Sequence, residues 1–246
     1  LSWHLINTLI EQEFDVTTCQ EMLVDHACTL PLKLFWPEGD CPVAVVPVCI
    51  NTVQFPLPSA KRCYALGKAV GQAISSWDSN KKVAVIASGG LSHQLDGERA
   101  GFINKAFDLQ FIESLTTNPE WATQFSVHEL VEKTGTQGVE LLMWLAMRGA
   151  LSTASAGVRR VHSNYHIPIS NTATAVMALG EANRAVRTRA SASMAASRAS
   201  ASFGASVSTM LSWSTVTRPL PGSAGSAATC ASSSSGCTSD MARIVA

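Results

Sequence analysis

The chain has 246 residues, 46% of them hydrophobic and 15% charged, and its 18 basic side chains balance 18 acidic ones. That length suits one α/β domain with a real core, or a smaller domain followed by a tail. No apolar run approaches the roughly 18 residues of a membrane span and no basic-then-apolar signal opens the chain, so a soluble protein is expected.

The zero net charge hides an asymmetry. Through residue 180 there are 12 Lys and Arg against 16 Asp and Glu, whereas from 181 onward there are 6 Arg, no Lys and 2 acids. Two regions follow, 1–180 and 181–246. Seven cysteines, at 19, 28, 41, 49, 63, 230 and 237, form no Cys-x-x-Cys pair and leave an odd number, which points to reduced thiols in a cytoplasmic protein.

In chain order, Trp3, Leu5, Ile6, Leu9 and Ile10 recur at helical spacing directly from Leu1, like a helix already under way in a chain truncated at its start. Residues 14–18 read as a short strand, and 23–28 lead into a proline-bounded loop. His26 beside Asp25 has the form of a histidine oriented by a carboxylate, or is simply structural. Residues 43–53 read as a buried strand in which Pro47 argues for an edge or an irregularity. Ser59 is placed to cap a helix carrying Leu66, Val70, Ala73, Ile74 and Trp77. With the apolar run 83–87 as the next strand, a βαβ unit is expected.

That last strand stops at Ser88-Gly89-Gly90, and His93 follows. Glycines there let the backbone turn sharply and approach a ligand, which sets His93 on a loop at the carboxyl edge of a sheet. It is a candidate acid/base or metal ligand, or a loop histidine that closes a strand end. Phe107, Phe111, Ile112 and Leu115 mark a helix whose charged face holds Asp108 and Glu113. Another helical segment begins at Asn118-Pro119-Glu120, and His128 reads as a solvated surface histidine. Residues 139–150 are apolar on every side and predict a helix buried all round. Glu140, in its first turn, either complements the helix dipole or binds a metal, because an unpaired carboxylate entering such a helix costs several kcal/mol. Ser170-Asn171-Thr172, after Pro168, offers hydroxyls and an amide that bind a carboxylate or cap a helix starting at Thr172.

From 181 to 240 alanine and serine alternate with scattered arginines and show no helix or strand period, so disorder is expected. The arginines are too sparse, and too free of interleaved aromatics, to indicate nucleic-acid binding.

Gly89-Gly90-Leu91-Ser92-His93-Gln94-Leu95, then Gly97-Glu98-Arg99-Ala100-Gly101 and Asn104-Lys105, resembles the signature of the class III extradiol ring-cleavage dioxygenases. So do Val24-Asp25-His26, Gly138-Val139-Glu140 with Leu141-Leu142-Met143-Trp144-Leu145, Met147-Arg148-Gly149-Ala150-Leu151, and Tyr165-His166-Ile167-Pro168 with Ser170-Asn171. The likeness covers about residues 1–180 and is greatest to the catalytic subunits that open protocatechuate between carbons 4 and 5.

The resemblance implies an α/β fold, with a mixed sheet covered by helices on both faces and the active site on loops at strand ends. It implies Fe(II) as cofactor, a catecholic acid and dioxygen as substrates, with gallate the alternative to protocatechuate, and a small α subunit as partner. By the same resemblance Glu140 is the carboxylate iron ligand and His93 the acid/base. Ser170 recognises the substrate carboxylate, with Asn171 and His26 beside the substrate. The family's two iron-binding histidines belong to an N-terminal section with no counterpart here, so an iron-poor fragment or a scaffold subunit without iron is the competing expectation. Met241-Ala-Arg-Ile-Val-Ala246 resembles the opening residues of a family member.

Overall fold

A computed structural model of the chain describes residues 1–154, 157–182, 207–215 and 243–245. The first half runs α1 (Ser2–Glu11), β1 (Thr17–Cys19), α2 (His26–Phe35), β2 (Ala44–Ile50), α3 (Ala60–Ser76) and β3 (Lys82–Ala87). The second runs α4 (Lys105–Thr117), α5 (Val127–Thr134), α6 (Leu142–Ala150), the hairpin β4 (Val158–His166) and β5 (Thr174–Glu181), then β6 (Val207–Thr215) and β7 (Arg243–Val245). Ser59 caps α3 by accepting from the Arg62 N–H at 3.1 Å.

Five strands form one mixed sheet in the order β1-β7-β2-β6-β3. β2, β6 and β3 are parallel, β7 is parallel to β2, and β1 closes the edge antiparallel to β7. The expected βαβ unit is therefore present with one strand between its arms: β2 and β3, joined through α3, flank β6. The fold is α/β with a mixed sheet, as the sequence implies.

Four local expectations change. Residues 26–35 form α2 rather than a loop, because Asp25 caps the helix by accepting from the Ala27 N–H at 3.0 Å. Pro31 lies inside α2 and has no N–H for the carbonyl four residues back, that of Ala27. That carbonyl instead accepts from Ser88 Oγ at 2.6 Å, at the end of β3. Pro47 sits within a central strand, not an edge, and the pairing of β7 to β2 covers Val48 and Cys49, one residue short of the proline. No helix starts at Thr172: Asn171, at φ 52, turns the chain, and the inward Ala175, Met177 and Leu179 alternate with exposed Thr174, Val176 and Ala178 along β5. The fourth change is Asp108, taken up with the site.

The 181–246 stretch expected as a disordered tail supplies β6 and β7, and the remainder from 183 lies outside the described residues. Within it, Val207, Thr209, Leu211, Trp213 and Thr215 alternate with mostly small polar residues, a period-two signal that the serine-rich composition masks.

The core gathers Leu5 and Leu9 of α1, Val48 and Ile50 of β2, Val70 of α3, Phe111 and Leu115 of α4, and the whole of α6. α3 and α6 cross with their backbones in contact. A Cβ on Gly67 or Gly71 would collide with the carbonyl oxygen of Ala146 or Ala150, and one on Gly149 with that of Tyr64. His128 is exposed and pairs with Glu132 one turn on, at 3.4 Å. Among the described residues no helix is long and apolar enough to cross a membrane.

Gly67→Ala is expected to destabilise the protein by about 1–3 kcal/mol in urea unfolding, despite alanine's better helix propensity, because a carbonyl cannot yield to the new methyl. Of the described cysteines, Cys41 is exposed while Cys28, Cys49 and Cys63 are buried, and burial pushes the Cys63 thiol up to about 12. Peptide mapping after brief alkylation at neutral pH should find Cys41 modified and Cys63 untouched.

Candidate active site

β3 delivers the chain to its carboxyl edge, where Gly89 and Gly90 turn it. Gly89 takes φ 151, and a Cβ there would lie 2.9 Å from Glu140 Cβ; a Cβ on Gly90 would lie 2.5 Å from His93 Cε1. The two glycines thus leave the space that Glu140 and His93 occupy. The Gly90 N–H donates to Glu140 Oε2 at 2.8 Å, and Trp144 Nε1 donates to the Gly89 carbonyl at 3.3 Å. Glu140 itself lies in a short 3-10 turn, Gly138–Leu141, directly before α6.

His93 is 6% exposed and held from three sides. Its N–H donates to the Thr134 carbonyl at 2.8 Å, and its carbonyl accepts from the Gly138 N–H at 3.2 Å. Its Nδ1 lies 2.8 Å from the Leu91 carbonyl, which only accepts, so Nδ1 carries a proton and Nε2 is the nitrogen left to gain or lose one. That fixes one nitrogen for exchanging a proton with a ligand.

Behind the loop sits Asp108, with no exposed surface, instead of on the charged face expected for its helix. It lies on the i, i+3, i+4, i+7 stripe with Phe111, Ile112 and Leu115, which turns it inward. Oδ1 accepts from the Ser92 N–H at 3.0 Å; Oδ2 accepts from Ser92 Oγ at 2.5 Å and from the Tyr165 hydroxyl at 2.8 Å. Burial raises the Asp108 carboxyl above the usual carboxylate range, against the hydrogen bonds from Ser92 and Tyr165. Tyr165 is also raised, first by burial and then by its bond to Asp108. For Asp108 the spacing, not the residue type, signalled burial.

The β4–β5 hairpin docks on the same loop. Leu91 N–H donates to the Ala173 carbonyl at 3.0 Å, and Ala173 N–H to the Ser92 carbonyl at 3.2 Å. Ser170 and Asn171 are exposed on its turn, and a Cβ on Gly101 would lie 3.5 Å from Asn171 Nδ2. His26 is exposed at the first residue of α2, whose neighbour Ala27 reaches Ser88. Glu140 and His93 are thus brought together at Gly90. Ser170 and Asn171 are joined to the His93 loop through Ala173, while the described hydrogen bonds do not join His26 to the other four.

The ferrous iron implied by the resemblance needs two histidines and a carboxylate on one face. Among the described residues no three His, Cys, Asp or Glu side chains gather to hold a metal ion. Glu140 has one oxygen on Gly90, and His93 Nδ1 is on Leu91. The residues present do not fit a complete iron centre.

A family model described as the catalytic LigB subunit of aromatic ring-opening dioxygenase matches residues 1–177. Gallate dioxygenase of Pseudomonas putida is 38% identical over 187 residues, covering 76% of this chain and 54% of that protein. A 2,3-dihydroxyphenylpropionate/2,3-dihydroxicinnamic acid 1,2-dioxygenase of Xanthobacter autotrophicus is 26% identical over 215 residues, 69% of this chain and 67% of its own. The same-named protein of Mycobacterium ulcerans is 45% identical over 82 residues, 33% of this chain and 25% of its own. The chain spans about half the length of the gallate dioxygenase it matches. With its model matched over most of the sequence, and with the glycine turn, His93 and Glu140 meeting at one strand end, the chain belongs to the LigB family of aromatic ring-opening dioxygenases.

Proposed function

We propose that this chain carries the acid/base and substrate-holding side of an extradiol site that opens the ring of a catecholic acid with dioxygen. The observation that carries the reading is the meeting of His93 and Glu140 on the Gly89-Gly90 turn at the carboxyl end of β3. Nε2 of His93 takes a proton from a catechol hydroxyl and returns it during ring opening. Ser170 and Asn171, on the exposed hairpin turn, receive the substrate carboxylate, with His26 at the rim.

Fe(II) is the cofactor of this reading. Glu140 is the residue here that offers it an oxygen, and two further ligands have to come from outside the set that the described residues bring together. A scaffold subunit without iron is the second reading, favoured by that shortfall among the described residues. Gallate is the first substrate to try, on the name of the Pseudomonas putida relative; protocatechuate, the sequence expectation, shares its carboxylate and adjacent hydroxyls. Leu95 and Ile169 stand exposed beside the site, apolar surface that a small second subunit would cover.

Loaded anaerobically with Fe(II), the chain is expected to retain well under one iron per molecule, and Glu140→Ala to retain none, by metal analysis. Ring opening, followed by product absorbance, should be slow and fall about 10²-fold or more in His93→Ala. One iron per chain that survives Glu140→Ala would remove the carboxylate role from Glu140. No iron and no turnover in any form would leave the scaffold reading. Comparison of kcat/KM is expected to favour gallate over protocatechuate.

A further inference from the structure

Asp108 has no part in the chemistry just described, yet it is the most completely buried carboxylate of the described residues, and the hydrogen bonds its side chain accepts from Ser92 and Tyr165 lead to the site. Through Oδ1 and Oδ2 it grips Ser92 at both main-chain N–H and side-chain hydroxyl, at 3.0 and 2.5 Å. Ser92 lies between Leu91, whose carbonyl holds His93 Nδ1, and His93 itself. Ser92 Oγ also accepts from the Asn104 N–H at 2.8 Å, which fastens the far end of the loop to the start of α4. Through Oδ2 the same carboxylate holds the Tyr165 hydroxyl at 2.8 Å, near the end of β4 and shortly before the turn that carries Ser170 and Asn171.

A two-stranded hairpin alone is marginal in water. This one is joined to the His93 loop at three places: Leu91 to Ala173, Ala173 to Ser92, and Tyr165 through Asp108 to Ser92. We infer that Asp108 is a positioning residue that locks the His93 loop and the Ser170–Asn171 hairpin turn into one unit, so that the acid/base nitrogen and the carboxylate-binding turn keep a fixed separation. The inference rests on the ring-opening reading for the roles of His93 and Ser170, but not for the clamp itself.

Two variants separate its limbs. Tyr165→Phe cuts only the hairpin limb: KM should rise about fivefold, the effect of one lost hydrogen bond, with kcat little changed. Asp108→Asn keeps the volume but places an amide NH2, which donates, where one carboxylate oxygen accepted. It should raise KM and also lower kcat about tenfold through misplacement of His93. Two readouts need no turnover. In ¹⁵N-labelled protein above the imidazole titration, His93 should show a protonated Nδ1 and a bare Nε2 in wild type and Tyr165→Phe, and a mixture of tautomers in Asp108→Asn. Hydrogen exchange should quicken in peptides covering 166–174 in Tyr165→Phe, and there and in 89–95 together in Asp108→Asn. Variants that melt earlier while the tautomer, the exchange of 89–95 and both kinetic constants stay as in wild type would reduce Asp108 to a plain structural staple and overturn the inference. A wild type without turnover would sink the ring-opening reading alone, and the tautomer and exchange results would still decide the clamp.

Discussion

Two side chains fill the volume that two consecutive glycines leave empty at the end of β3, and the site depends on that exchange. A methyl on Gly90 would lie against the His93 ring, and one on Gly89 against Glu140. With the methyls gone, the peptide between them is close enough for the Gly90 N–H to reach a carboxylate and the Gly89 carbonyl to reach an indole. Both partners belong to the segment entering α6, so the turn is gripped by the most buried helix of the described fold. A charge that would be costly among apolar neighbours is thereby given a backbone donor.

The second support comes from an unlikely residue. Pro31 interrupts the hydrogen bonding of α2 and releases one carbonyl, which the serine preceding the glycines satisfies. A local defect in one helix thus becomes a tie between that helix and the strand end. His26, five residues before the proline, is carried to the neighbourhood of the site by this tie rather than by any bond of its own.

Much of this was legible in the sequence where one local rule decided the outcome. Ser59 caps α3, the apolar run 83–87 is a strand, and 142–150 is buried on all sides, each as its pattern implies. Legibility failed where a residue's type and its position disagreed. Asp108 is charged and was read as exposed, although its spacing from Phe111, Ile112 and Leu115 turns it inward. The stretch holding Pro31 was read as a loop, and Pro47 as a sign of an edge or an irregularity, although a hydroxyl and a short neighbouring strand accommodate them. Ser170 and Asn171 suit a helix cap and a tight turn equally, and the alternation after them, weak in an alanine-rich strand, made the choice. The bonds from Gly90 to Glu140 and from Leu91 and Ser92 to Ala173 join residues tens of positions apart, which no local pattern encodes; the family likeness singled out His93 and Glu140 instead.

The crossing of α3 and α6 bears on how this site tolerates change. In an ordinary core a bulkier residue can be matched by a smaller neighbour, because both sides of the contact are side chains. Between Gly67, Gly71 and Gly149 and the carbonyls they face, one side is main chain, which has the same dimensions in every sequence. Compensation is unavailable there. The position of α6, and with it the carboxylate at its entrance, is therefore set by a gauge that does not drift as the surrounding side chains are exchanged.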